Sequence, residues 1–129
     1  CLRQGARCVT CVELDMGCAD DLDNIGLVVI GDFLTMFPDG GPMIKTKRVV
    51  MNPPFTKGQD MKHILHAYNA WLDDGGTITA IVPDKDHPKL AHLNPVTLKR
   101  YPNGVFKESG TMIAVRVIQI TKPAKRKRL

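Results

Sequence analysis

Three short apolar runs, "ARCVTCVELD", "GLVVIGDFL" and "RVVM", each end against a polar side chain: Glu13, Asp32 and Asn52. No other feature of the chain narrows its fold as far. The runs have strand length and strand composition. Behind the third lies a helical pattern from Asp60 to Leu72, with Met61, Ile64, Leu65, Tyr68, Trp71 and Leu72 at i, i+3, i+4, i+7 spacing. Gly75-Gly76 is expected to stop that helix as a C-cap, and "TITAIVP" to form the next strand. Strands that alternate with helical segments predict an α/β fold with parallel pairing. Ligands of an open parallel sheet sit beyond the carboxyl ends of its strands. Three polar residues in register at those ends therefore mark a candidate site, although any one acid there also serves to cap the segment that follows.

The rest of the chain reads more plainly. Residues 84 to 99 look like an irregular excursion with at most a short helix, and "VFKESGTMIAVRVIQITK" reads as a turn at Ser109-Gly110 leading into a long last strand. At 129 residues the chain is expected to be one domain over 1–121 with a basic tail over 122–129. A 43% hydrophobic fraction argues for a globular core. No stretch reaches the roughly 18 uninterrupted apolar residues of a membrane helix, and the start lacks a signal-peptide pattern, so the expectation is a soluble, cytoplasmic protein with no membrane partner.

Charge and cysteines bound the partners. Eighteen Lys and Arg against 13 Asp and Glu leave +5, which favours an anionic partner. The ending KPAKRKRL carries five of the positive charges, so the body is nearly neutral; the tail reads either as a solvated end or as a phosphate contact. Cys1, Cys8, Cys11 and Cys18 crowd the first eighteen residues. Cys8 and Cys11 fall in a strand, where a separation of three sends side chains to opposite faces, so reduced core thiols are expected rather than zinc or a disulfide. His63 and His66 flank the apolar stripe without a third ligand, which predicts boundary histidines and no metal site.

Asn52-Pro53-Pro54-Phe55 stands at the end of the third strand, where the prolines let neither strand nor helix continue. This NPPF resembles the catalytic motif of the S-adenosylmethionine-dependent methyltransferases that act on adenine N6 in DNA. Other segments match in order along residues 8 to 122. "VELD" is similar to the family's acidic motif after its second strand, "GDFL" to its Asp-Phe pair, "GGTITAIVP" to its fifth strand, and "YPNGVFKESGT" to the segment before its antiparallel last strand. The resemblance implies a truncated Rossmann-like class I methyltransferase fold, with a mostly parallel sheet and an antiparallel C-terminal strand.

It also implies roles. Adenine N6 is a poor nucleophile because its lone pair is delocalised into the ring. The Asn52 side-chain oxygen and the Pro53 carbonyl can accept both N6 hydrogens and steer that lone pair, while Pro53 and Pro54 hold the acceptors in place. Phe55 offers a face to a base turned out of its stack. By the same resemblance Glu13 takes the ribose hydroxyls of S-adenosylmethionine, Asp32 takes the cofactor's adenine amine and Phe33 packs near that ring. Phe106 is expected to line the far side of the target-base pocket, with Lys107 near a phosphate.

The departure from the family lies at the start. The family's first strand and glycine-rich cofactor loop, which holds the methionine end of the cofactor, have no counterpart before Glu13; "CLRQGAR" resembles the end of the helix that follows that loop. In the family's sheet that strand lies between those ending at Glu13 and Asn52. The expectation is a methyltransferase-like domain, inactive as this chain alone, in a bacterial or phage-infected cell, with DNA, a partner chain or a second copy as partner. The alternative is a binding module derived from such an enzyme, such as a phage-encoded inhibitor of restriction or CRISPR systems.

Overall fold

The computed structural model describes residues 8–14, 17, 27–36, 45–109 and 112–126. It divides the chain into two units, residues 1–38 and 39–129. In the first, β1 (Thr10–Glu13) and β2 (Leu27–Ile30) pair in parallel, with Thr10 opposite Leu27 and Glu13 opposite Ile30. The Leu27 and Gly31 N–H groups donate to Val9 and Glu13 carbonyls at 3.0 Å, extending the ladder at both ends. Parallel neighbours need a crossover of about a dozen residues or more. The segment that joins them lies largely outside the described residues. Cys8 and Cys11 are free thiols. Cys8 is exposed and precedes β1, so it is no core thiol; Cys11 is half-buried, and Cys1 and Cys18 lie outside the described residues.

The second unit holds the buried core. β3 (Thr46–Met51) leads through the NPPF turn to α1 (Gln59–His66), and β4 (Leu72–Pro83) returns parallel to β3. β5 (Val96–Tyr101) and β6 (Val115–Thr121) complete a four-stranded sheet in the order β3-β4-β6-β5, with β6 antiparallel to both of its neighbours. The α/β class, the parallel pairs and the antiparallel last strand are as expected. Ile78, Ala80 and Val82 of β4 alternate inward, and Ile118 and Ile120 of β6 stand opposite Ala80 and Ile78. Ile64 of α1 closes this core at 0% exposure. β3 is an edge strand of its sheet among the described residues, with Val50 73% exposed.

Two expectations fail here. Residues 84 to 99 hold the short helix allowed for, a 3-10 turn over Pro88–Leu93 that buries Leu90 and Leu93, but they are not irregular to the end, because β5 begins at Val96. Its residues Val96, Leu98, Lys99 and Arg100 are exposed, so the run lacked the apolar core face that reveals a strand. Gly75-Gly76 does not cap the helix either. The helix ends in a single π turn, Ala67–Trp71, followed by extended Leu72. The two glycines lie inside β4, where the pairing with β3 slips between Thr46 and Arg48.

Lysine side chains take over the capping. Lys122 Nζ donates to the Tyr68 and Leu72 carbonyls at 3.0 and 3.1 Å and sits 5.0 Å from the centre of the Tyr68 ring; Lys45 Nζ donates to the Ala70 carbonyl at 2.7 Å. Helix ends carry orphan carbonyls and partial negative charge, so an ammonium serves where glycine does not. Three further ties reach the glycine kink. Lys47 contacts Asp73 at 3.1 Å, Lys125 contacts Asp74 at 3.5 Å, and the Lys122 N–H donates to the Gly76 carbonyl at 2.8 Å. Lys122 and Lys125, read from sequence as tail, are thus fastened to the sheet. The Lys47 ammonium that hydrogen-bonds Asp73 holds its carboxyl below the usual 3.8, so the pair stays charged at neutral pH and its contribution fades only as pH falls below that value. Replacing Lys122 with Met, which keeps most of the stem and removes the donor, is expected to cost about 1.5–3 kcal/mol. Urea unfolding would show this as a lower midpoint at unchanged slope.

Candidate active site

The first unit holds two carboxylates at one edge of its sheet. Glu13 ends β1, and Asp32 lies two residues past Ile30, the strand partner of Glu13. Glu13 is half-buried, and its Oε1 accepts the Leu14 N–H at 2.9 Å. Asp32 is exposed; its Oδ1 accepts the Leu34 N–H at 3.0 Å, and its carbonyl accepts the Thr35 and Met36 N–H groups. Asp32 therefore organises the turn after β2, in the capping role an acid at a strand end also allows. Phe33 is half-buried within that turn.

The second unit, taken by itself, holds the NPPF turn. Asn52 is exposed at the end of β3, Pro53 is buried, Pro54 is exposed and Phe55 is half-buried. With two prolines in succession the strand must end, and Phe55 turns into a right-handed helical conformation. Lys57 and Gly58 follow at φ 55° and φ 71°, a left-handed pair that reverses the chain before α1 starts. For Lys57 that conformation costs about 1–2 kcal/mol, a strain kept in the loop directly behind the motif.

Phe55 faces a cavity of about 420 Å³ whose other walls are Pro83, Asp84, Lys85, Asn103, Ile113 and Ala114. That volume falls in the usual range of small-molecule sites, about 300–1,000 Å³. The loop after β4 forms one wall and is held from three sides. Asp84 pairs with Arg100, the Asp84 N–H donates to the Ala114 carbonyl at 2.9 Å, and Arg116 donates to the Lys85 carbonyl at 3.0 Å.

Phe106 and Lys107 stand elsewhere in the same segment. The Phe106 ring packs edge-on against Tyr101 at 5.3 Å, and Lys107 is exposed in a 3-10 turn over Lys107–Ser109. The residues that reach the cavity from this stretch are Asn103, Ile113 and Ala114. Sequence reasoning missed these, and also Pro83, Asp84 and Lys85 as site residues. The polar loops behind β3 and β4 were the available signal, because adjacent parallel strands deliver the loops at their carboxyl ends to one edge. Among the described residues no group of three potential ligands gathers to hold a metal, and no helix is long and apolar enough to cross a membrane.

The fold compares closely with solved structures. A putative methyltransferase from Escherichia coli, yhhF, superposes over 96% of this chain and 67% of its own, with a TM-score of 0.60 and 21% identity. A putative methylase from Haemophilus influenzae gives 0.61 over 92% of this chain and 76% of its own, also at 21% identity. The 23S rRNA methyltransferase ErmE gives 0.67 at 16% identity, covering 98% of this chain and 58% of its own. The chain has the methyltransferase fold. It spans between about three fifths and three quarters of the length of these proteins. No protein-family model and no curated protein matches the sequence. On the methyltransferase fold, the NPPF turn and the loop after β4 belong to the edge where parallel strands present their carboxyl ends.

Proposed function

We propose that this chain is the catalytic part of an S-adenosylmethionine-dependent methyltransferase that modifies the N6 amine of adenine in DNA. The observation that carries the reading is Phe55 on the wall of a base-sized cavity, with Asn52 and Pro53 just before it in the chain and outside that wall. Asn52 offers a side-chain carbonyl and Pro53 a main-chain carbonyl, the two acceptors that an amine with two hydrogens requires. Accepting both hydrogens draws the nitrogen toward tetrahedral geometry and concentrates its lone pair. Phe55 and Pro83 supply apolar surface for the face of an extruded base, and Asp84 and Asn103 supply polar atoms at its edge. Phe106 and Lys107 remain candidates for contact with the rest of the substrate strand.

The residues at the edge of the first sheet fit the adenosine half of the cofactor. Both acids are acceptors, matched to two ribose hydroxyls at Glu13 and an adenine amine at Asp32, with Phe33 in the same turn for the ring. S-adenosylmethionine, when bound, supplies an electrophilic methyl group. Calorimetric titration of the chain with S-adenosylmethionine and with its demethylated product tests the assignment. Saturable micromolar binding is expected, weakened about tenfold by Asp32→Ala through loss of a charge-assisted hydrogen bond. An absence of binding at millimolar ligand would overturn the cofactor assignment for this chain and leave the binding-module alternative.

A further inference from the structure

A second cavity, of about 220 Å³, lies between the start of α1 and the loop after β4. Four lysines line it, Lys57, Lys62, Lys85 and Lys89, against two acids, Asp60 and Asp86. The lysines are exposed. Asp60 differs from everything around it. It is 2% exposed, it belongs to the first turn of the helix, and its Oδ2 has no hydrogen-bond partner. A buried carboxylate oxygen without a donor is costly, and such groups are rare in folded proteins. The remaining polar group of the wall, His87, is engaged, with Nε2 2.9 Å from the Pro83 carbonyl.

The ligand this wall fits has two features: an anionic group for the ammonium groups and a hydrogen-bond donor for Asp60. Inorganic phosphate also keeps an O–H at neutral pH and so carries both on one centre, which leaves position to decide between it and a nucleotide. A nucleotide within a strand has both, because its phosphate is fixed about one nucleotide's breadth from the N–H groups of its base or, in RNA, the 2′-hydroxyl of its sugar. Position agrees with this, since Lys85 lines both this cavity and the one that Phe55 faces. A strand that delivers a base to the larger cavity passes its next nucleotide over Lys85.

We propose that the smaller cavity is a subsite for the nucleotide flanking the modified base, with the lysines on its phosphate and the Asp60 carboxylate accepting an N–H of its base or, in RNA, the 2′-hydroxyl of its sugar. This rests on the reading of the chain as a nucleic-acid methyltransferase. It adds a source of sequence or sugar preference that the NPPF turn cannot supply, because base contacts specify while phosphate contacts position.

The test measures fluorescence anisotropy of labelled single-stranded oligonucleotides with the full chain across a range of salt. The double variant Lys62→Ala/Lys89→Ala changes only exposed side chains. It is expected to weaken binding about tenfold and to flatten the slope of log K against log salt by about 0.7, the value for one phosphate on a single strand. Asp60→Asn keeps the shape and places an amide where an acceptor stood, and is expected to weaken binding about tenfold as well. Abasic substitution beside the adenine cancels the Asp60 effect if the donor is a base N–H. If the donor is a sugar hydroxyl, the effect appears with RNA and not with DNA of the same sequence.

Wild-type affinity in both variants, or a wild-type chain that binds no oligonucleotide, overturns the subsite. Methyl transfer by a chain whose oligonucleotide affinity ignores both variants would sink the subsite and leave the adenine reading standing. Binding that depends on Lys62, Lys89 and Asp60, without cofactor binding or transfer, would do the reverse.

Discussion

In a form of the protein that transfers methyl groups, Asn52→Ala is expected to cut transfer to adenine by about a hundredfold to a thousandfold, the usual consequence of removing one polar group that acts on the reacting atom. The fold should not notice. Asn52 is exposed, and a surface substitution away from caps and cores shifts stability by no more than about 0.5 kcal/mol. The measurement is transfer of a labelled methyl group from S-adenosylmethionine to a single-stranded oligonucleotide containing adenine, with kcat and KM separated. Loss confined to kcat marks an interaction made as the amine becomes tetrahedral, whereas a rise in KM alone marks simple substrate contact. Asn52→Asp retains an acceptor at the same reach and should recover part of the rate; Asn52→Leu should not. A chain that methylates adenine equally well with Ala at this position would remove Asn52 from the mechanism.

How much of this was legible in the sequence follows from where the signals lie. β1, β2, β3 and β4 are apolar runs closed by polar or proline residues, and they announced themselves, as did the stripe that makes α1. β5 did not, because its core-facing contribution is slight: Val96, Leu98, Lys99 and Arg100 are all exposed, so neither alternation nor an apolar run was there to read. The end of the helix was misread for a different reason. Gly75-Gly76 has the form of a C-cap, but the carbonyls it was expected to satisfy are taken by Lys45 and by Lys122, 50 and 54 residues away from the carbonyls it caps. Local chemistry cannot report a long-range donor. The site shows the same division. NPPF was visible as a contiguous motif, whereas the cavity in front of Phe55 is assembled from Pro83, Asp84 and Lys85 at one strand end and from Asn103, Ile113 and Ala114 in the segment before another. Those residues carry no motif; topology alone brings them together.

The kink in β4 carries the other large expected effect. A Cβ added at Gly76 would stand 2.7 Å from Leu72 Cδ1, 2.8 Å from the Lys47 carbonyl oxygen and 2.9 Å from the Asp73 carbonyl oxygen. The first neighbour is a fully buried side chain and the other two are backbone, so none can turn aside cheaply. Gly76→Ala is therefore expected to lose about 3 kcal/mol, at the upper end of ordinary overpacking. Gly75 makes the control. Its φ of +76° disfavours a side chain, but the nearest atom to an added Cβ is 3.6 Å away, so Gly75→Ala should lose only the conformational penalty of about 1–2 kcal/mol. Chemical denaturation of the two variants decides the order, and equal losses would mean that backbone conformation rather than close approach governs the kink.

The consequence reaches the site. Between Thr46 and Arg48 the kink slips the pairing of β3 with β4, and beyond it Met51 stands opposite Ala80. That register determines which residues of the β4 end accompany the NPPF turn as it leaves β3. Since a slip of one residue turns every side chain to the other face, a folded Gly76→Ala chain that relieves its clash by shifting register should lose the cavity in front of Phe55 along with its stability.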